Sequence, residues 1–222
     1  MDTFISNFFD IDIVVEVLPQ LLLGLKNTLI LSLIAVPGGV FAGLVIAVLF
    51  SLRKKALTVP LIVYIDFLRA FPPLVLLIFV YYGLPFLGLE LSAMSAVILA
   101  LLLNTSAYFA EVIRAGIESV PRGQIEAARA TGLTGWTTLV QVVLPQAVRN
   151  ILPDLISNIL ETIKLTSLAS VVTLPELLRA ARLAQGNLFN STPLIAAALI
   201  YLALLWPLVR LITRLERRSL SA

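Results

Sequence analysis

The sequence contains no cysteine and no histidine. Disulfide frameworks, thiol nucleophiles, Cys/His metal sites and every His-based catalytic triad are therefore excluded. Charge is scarce as well: 13% of the 222 residues are Asp, Glu, Lys or Arg, against about 25% in soluble proteins. The net charge of +3 is too small a basic excess to point to nucleic acid as a partner. What is abundant is apolar surface. Apolar residues make up 59% of the chain, where ~45–50% is usual, and the mean hydropathy is +1.02. A core of this size cannot hide so much hydrocarbon, so the solvent is partly lipid and the chain reads as an all-α membrane protein.

A helix needs roughly 20 apolar residues to cross a ~30 Å hydrocarbon core. Five stretches qualify: about Leu21 to Phe50, Leu57 to Gly83, Ser92 to Ile113, Leu152 to Val172 and Thr192 to Ile212. The first would reach about 45 Å at ~1.5 Å per residue, and Pro37-Gly38-Gly39 offers it a place to kink. Residues 1–19 carry Asp2, Asp10, Asp12 and Glu16 and no Lys or Arg, unlike the positive start of a secretory signal. They read as an extracytoplasmic segment whose apolar residues, from Phe4-Ile5 to Val17, suit an interfacial helix.

Lys and Arg in the short flanks orient such a protein. Arg53, Lys54 and Lys55 fall in one loop, Arg114, Arg122, Arg129 and Arg149 in another, and Arg210, Arg214, Arg217 and Arg218 in the tail. The opposite side holds only Arg179 and Arg182. This bias predicts the N-terminus outside and the C-terminus in the cytoplasm, with residues 215–222 as a cytoplasmic tail. Five crossings satisfy that orientation.

The segment of about 118–146, between the third and fourth spans, is expected to hold a short cytoplasmic helix. Pro121 suits its first position and Ser119 its cap. Glu126-Ala127-Ala128 favours helix, and Gly132 is placed to end it in a left-handed conformation. On these grounds alone the helix is as well explained as an interfacial connector. Glu126-Ala127-Ala128, three residues, Gly132, nine residues, then Val142, Val143 and Leu144-Pro145 resembles the EAA signature of ABC importer permeases, with Val142 standing where the family has Ile. The wider run from Glu111 to Gly132, together with Tyr64 to Pro72 and Lys164 to Leu168, is similar to the polar amino acid subfamily, which includes histidine, glutamine, arginine and opine importers. Where the family often has Arg-Gly-Thr-Pro, this chain reads Arg69-Ala70-Phe71-Pro72.

The resemblance implies a type I importer transmembrane domain over residues 20–214, in a bacterial cytoplasmic (inner) membrane. Glu126, Ala127, Ala128, Gly132, Leu144 and Pro145 would then couple it to a cytosolic ABC ATPase dimer. The other partners implied are a second permease, identical or homologous, an extracytoplasmic solute-binding protein and a polar amino acid. The chain has no Gly-Lys dipeptide and so no P-loop. ATP and Mg would be bound by the partner ATPase, leaving no cofactor and no enzymatic activity here. A membrane scaffold or assembly protein without transport activity is the alternative.

Charges within spans are costly, about 2.5–3.5 kcal/mol each on insertion scales, and usually face a bundle interior or a wet path. Asp66 with Arg69, and Glu161 with Lys164, are each spaced i, i+3 and share a helix face. They read either as intrahelical salt bridges or as a pocket for a zwitterion, to which Thr166 and Ser167 would add hydroxyls. Asn104, Thr105 and Ser106 suit helix–helix hydrogen bonds, Gly39 and Gly43 suit close helix approach, and Lys26 suits snorkelling to the outer interface. Glu176, Arg179 and Arg182 read as a solvated outer face or as a contact for a binding protein. A five-span bundle is thin, which puts a translocation path between two subunits. The charge bias predicts that a reporter fused after Ser219 is active only in the cytoplasm and one fused near Leu87 only outside; the reverse activities would overturn the orientation.

Overall fold

A computed structural model describes residues 7–52 and 54–219, with side chains up to Arg214 in the last helix. The readings that fall on Asp2, Phe4-Ile5, Arg53, Arg217 and Arg218, and on the end of the tail, lie outside the described residues or side chains. Among the described residues the structure is helical, without strands. Helix α1 spans Ile11–Ser51 and α2 Lys55–Ala70. Pro73–Leu87 follows as a helical stretch α3, and α4 is Ala93–Glu118. The short α5 is Arg122–Ala130, and α6 is the continuous run Gly135–Val172. Helices α7, Leu177–Leu188, and α8, Thr192–Ser219, complete the order. Among the described residues four helices, α1, α4, α6 and α8, are long and apolar enough to cross a membrane, and the pair α2 and α3 makes a fifth crossing if counted together.

Three boundaries differ from the sequence reading, each for a backbone reason. First, α1 opens at Ile11, inside the segment expected to lie along the interface. Asp10 starts it, its Oδ1 accepting from the N–H groups of Asp12 (3.0 Å) and Ile13 (3.2 Å). The helix continues through Pro19 and Pro37, and at ~1.5 Å per residue its contour is about 60 Å, roughly twice the hydrocarbon thickness. Second, the expected span from Leu57 to Gly83 is interrupted. Phe71 and Pro72 each precede a proline, which disfavours the helical conformation, and both are extended (ψ 125° and 128°). Third, α6 begins at Gly135 rather than near Leu152, because Pro145 does not break it. The residues before Pro145, Leu139–Val143, form a π-type turn. Pro145 has no N–H to give the Gln141 carbonyl, and the widened turn absorbs that loss. Leu84–Leu87, which contains Pro85, is likewise preceded by a π turn, Phe79–Gly83.

The chain divides into two compact units. The first takes residues up to Pro37, Pro72–Leu101 and Leu160–Val209. Its core is Val17 and Leu21 of α1, Leu177, Ala180, Ala181 and Ala184 of α7, and Ala196 and Ala197 of α8. Helix α7 lies in a stretch read from sequence as an outer loop, and Glu176 is a buried cap rather than part of a solvated face. Its carboxylate is 0% exposed and accepts from the N–H groups of Arg179 (2.7 Å) and Leu178 (2.9 Å) and from the Tyr201 hydroxyl (3.0 Å). Side chains of α1 bind the same segment. Thr28 Oγ1 accepts from the Leu177 N–H (3.2 Å), and Asn27 Nδ2 donates to the Pro175 carbonyl (2.8 Å). Arg179 donates to the Ser170 carbonyl (3.0 Å). Burial pushes the Glu176 carboxyl above its usual range, against the lowering effect of the two backbone donors. Lys26, by contrast, is exposed.

The second unit takes Gly38–Phe71, Leu102–Ile159 and the residues from Arg210. Here α1 and α4 come into close contact through the small-residue pair Gly39 and Gly43. A Cβ at Gly43 would stand 2.6 Å from Phe109 Cβ and 2.7 Å from the Ala110 nitrogen, so only glycine permits this approach. Asn104 Nδ2 donates to the Leu68 carbonyl (3.4 Å) and Ser106 pairs with the Tyr64 hydroxyl (2.8 Å), joining α4 to α2 as the sequence suggests.

Two measurements test these packings. Gly43→Val should lower stability by about 1–3 kcal/mol through overpacking, read as an earlier thermal transition in detergent micelles. Glu176→Ala should cost about 1–2 kcal/mol for the lost cap. Because the folded carboxyl titrates higher than the unfolded one, the stability it contributes is full below the unfolded pKa and declines as pH rises through the raised folded value. Glu176→Gln should flatten that decline, and an unchanged slope of melting temperature with pH would contradict the assignment.

Candidate functional site

The connection between α4 and α6 is built residue by residue as a rigid support for α5. At the end of α4, Ser119 Oγ donates to the Gly116 carbonyl (2.7 Å) and accepts from Asn150 Nδ2 (2.8 Å). Ser119 thus closes the preceding helix instead of capping α5, as its spacing had suggested. Pro121 stands one position earlier than expected, as the N-cap with ψ 134°, because its fixed φ also suits the extended residue that leads into a helix.

At the other end, the Leu133 N–H donates to the Ala128 carbonyl (3.3 Å) and the Gly132 N–H to the Arg129 carbonyl (3.1 Å). This pair of bonds is the Schellman closure, and Gly132 has φ +89°, the left-handed conformation expected of it. Arg129 adds a bond from Nη1 to the Leu133 carbonyl (2.9 Å). Thr134 then starts α6, its side chain accepting from the Thr137 N–H (3.2 Å). Both ends of the short helix are therefore tied down.

One face of α5 is anchored and the other is free. Ala128 is buried, and Ile125 packs against a cluster of Val120, Val143 and Ala147, with Ile117 and Leu139 beside it. Glu126 and Ala127 are exposed, as are Arg122 and Gln124. Leu144 is half-buried and Pro145 exposed, directly after the π turn that feeds Val143 into the cluster. The spaced residues read as a signature thus divide between an outward surface, Glu126 and Ala127, and the means of holding it: Ala128, Gly132 and the turn before Leu144-Pro145.

The intramembrane charges fall out differently from one another. Glu161 and Lys164 form the expected pair at 3.2 Å, and both side chains are more than half exposed in the single chain. Thr166 is fully buried and donates to the Ile163 carbonyl (2.6 Å), and Ser167 donates to the Lys164 carbonyl (2.7 Å). Asp66 and Arg69 do not pair. Arg69 approaches Glu111 of α4 (3.7 Å), and Asp66 makes no ion pair among the described residues. A same-face spacing permits a bridge, but a carboxylate on a neighbouring helix competes for the cation. Arg114 and Arg129 count in the sequence only toward orientation, and Glu111 carries no role of its own there, although the i, i+3, i+7 order of Glu111, Arg114 and Glu118 already allowed a charged pairing along one face.

These features define a class: a multi-span helical membrane subunit that displays one small, doubly anchored helix on an interspan loop. Its residues 35–221 match the model of the binding-protein-dependent transport system inner membrane component family, and the chain belongs to that family. Among its relatives is the "Probable amino-acid ABC transporter permease protein YckA" of Bacillus subtilis (strain 168), 39% identical over 197 residues, 88% of this chain and 87% of the relative. The glutamine transport system permease protein GlnP of Escherichia coli (strain K12) is 32% identical over 213 residues, 95% of this chain and 97% of GlnP. A crystal structure of an amino acid ABC transporter with histidines superposes with TM-score 0.85 at 37% identity, over 92% of this chain and 96% of that one. A methionine transporter, MetNI, shares the fold at 19% identity with TM-score 0.74, over 90% of this chain and 95% of that one. The chain is thus the permease subunit of an importer, a multi-pass membrane protein whose family works with an ATPase and a second permease. The comparisons give no support to the scaffold alternative.

The Schellman end carries its own prediction. A Cβ at Gly132 meets nothing within 4 Å, so replacement there is a pure test of backbone conformation. Gly132→Val should destabilise this turn by roughly 1–2 kcal/mol, while Gly132→Asn, which tolerates the left-handed region, should cost less. Hydrogen exchange at the amides of Arg129 to Leu133 reads the difference.

Proposed function

We propose that the chain carries a polar amino acid, or an amino-acid-like solute, across a bacterial cytoplasmic membrane, working as half of a permease dimer. A cytosolic ATPase dimer, which binds the ATP and Mg, docks on α5. An extracytoplasmic binding protein delivers the solute. The observation that carries this reading is the build of α5: capped at its C-terminal end, seated on Val120, Val143 and Ala147, and exposing Glu126 and Ala127. A helix so held transmits a push instead of bending under it. Glu126, Ala127, Ala128, Gly132, Leu144 and Pro145 are the coupling residues in this account. The excess of Lys and Arg in the flanks of α5 supports a cytoplasmic site for it, with the N-terminus outside.

The solute path runs past Glu161 and Lys164. A charged pair left exposed within a span is costly unless it faces water or a complementary charge. A zwitterion supplies both signs, its ammonium toward Glu161 and its carboxylate toward Lys164. Ser167, half-buried beside them, adds a hydroxyl, while the buried Thr166 holds the helix end. The amino-acid permeases among the relatives support this solute class.

Two experiments test the reading. Glu126→Lys should leave membrane insertion intact yet cut solute uptake by about tenfold or more, the factor carried by ~1.4 kcal/mol of lost contact, with weaker recovery of the ATPase in pull-down. Wild-type uptake and pull-down would remove α5 from the coupling path. Replacing Glu161 or Lys164 by an apolar residue should lower uptake or alter selectivity in complexes that still assemble, and unchanged uptake kinetics would return the pair to a purely intrahelical role.

A further inference from the structure

Four ionisable side chains, Arg69, Glu111, Arg114 and Glu118, form a chain along α2 and α4 in the second unit, with Asp66 beside it in the lining of one cavity. Arg114 is its fixed point. Its Nη2 and Nε donate to Glu111 at 2.6 and 3.1 Å, and its Nη1 donates to both oxygens of Glu118 at 2.8 Å. The guanidinium also lies over the Phe50 ring, 5.6 Å from its centre. Glu111, Arg114 and Glu118 therefore behave as one stiff strut along the last turns of α4, three residues before α5 begins.

The link from this strut to α2 is of another kind. Arg69 Nη1 stands 3.7 Å from Glu111 Oε1, longer than any bond within the strut and beyond hydrogen-bond length. Arg69 rests over the Tyr108 ring at 5.8 Å, which steadies the guanidinium without fixing its partner. Asp66 lies three residues earlier on the same face of α2. It lines a cavity of about 240 Å³ together with Arg69, Glu111 and Arg114, and it has no ion pair among the described residues. Arg69 thus has two carboxylates to choose between: one on α4, held loosely, and one on its own helix, vacant. In a low-dielectric span the cation is poorly tolerated alone, which favours two discrete arrangements over a continuum.

We propose that Arg69 is an exchangeable latch, joined to Glu111 in one stage of the transport cycle and to Asp66 in the other, so that movement of α5 is passed through the Arg114 strut to α2. The latch rests on the reading of α5 as the ATPase contact. Displacing α5 displaces Glu118, Arg114 and Glu111 together, and the loose Arg69 contact is the one that gives way. Arg69 and Asp66 are then positioning residues of the coupling, and the solute path is left to Glu161 and Lys164.

The test uses the complete complex of permeases, ATPase and binding protein reconstituted in liposomes, measuring ATP hydrolysis with and without solute alongside uptake. Glu111→Gln weakens the latch and should raise solute-independent hydrolysis severalfold while lowering uptake per ATP. Asp66→Asn removes the alternative seat and should slow hydrolysis and uptake together by about tenfold, within the 5–150-fold range of allosteric coupling. Arg69→Gln should resemble Glu111→Gln. Opposite signs in solute-independent hydrolysis are the signature, since a merely structural role would move both carboxylate variants the same way. Equal signs, wild-type behaviour in both, or loss of ATPase binding in either overturns the latch. Failure of the α5 reading appears separately, as unimpaired ATPase recovery and uptake by Glu126→Lys.

Discussion

The constraint on which the rest of the structure depends is that a backbone in hydrocarbon must satisfy its own hydrogen bonds. The chain has 12 prolines, each of which removes a donor, and the structure can be read as a set of answers to that deficit. Inside α1 the helix runs on through Pro19 and Pro37. At Phe71-Pro72-Pro73 two successive residues leave the helical conformation and the span breaks. Ahead of Pro145 the ladder widens into a π turn and then resumes. At Pro121 the proline stands outside the helix it introduces. One residue type has four outcomes, chosen by what the neighbouring elements need.

Two of these outcomes bear on the coupling role proposed for α5. The π turn and Pro145 bring Val143 into the cluster that supports α5, so a residue pair some 20 positions downstream of Glu126 belongs to the same working part. Pro121 separates α4 from α5 without slack, because Ser119 and Val120 on its other side are already bonded or buried. A helix of nine residues has little stability of its own. Here its form is enforced from outside, by the Schellman bonds at one end, the fixed φ of proline at the other and the apolar seat beneath.

The polar groups follow the same economy of partners. Glu176 is buried because the opening turn of α7 supplies two N–H donors and Tyr201 a third partner. Glu111 is held because Arg114 is one turn away. Glu161 and Lys164 pair with each other and remain more than half exposed, which is why they stand out as charges available to something else. Arg69 lies between these cases, near a carboxylate that is already engaged.

Composition and hydropathy alone made the chain a helical membrane protein, because no other solvent accommodates 59% apolar residues with so few charges. The spacing from Glu126 to Pro145 was legible as a signature, and the left-handed Gly132 followed from local backbone sterics that need no tertiary information. Helix α7 was also written in the sequence, as apolar residues at 177, 180, 181 and 184 after a capping Glu176, but its small alanines spoke less loudly than the surrounding charges. What only the tertiary structure decided was choice among competing partners. Spacing placed Asp66 and Arg69 on one face, yet whether Arg69 bonds there or to Glu111 depends on how near α4 passes. Likewise spacing offered Ser119 as the cap of α5, and in the fold it bonds instead to the Gly116 carbonyl and to Asn150 of α6. Local geometry determines what a residue can do; the packing of helices distant in sequence determines which of those options is taken.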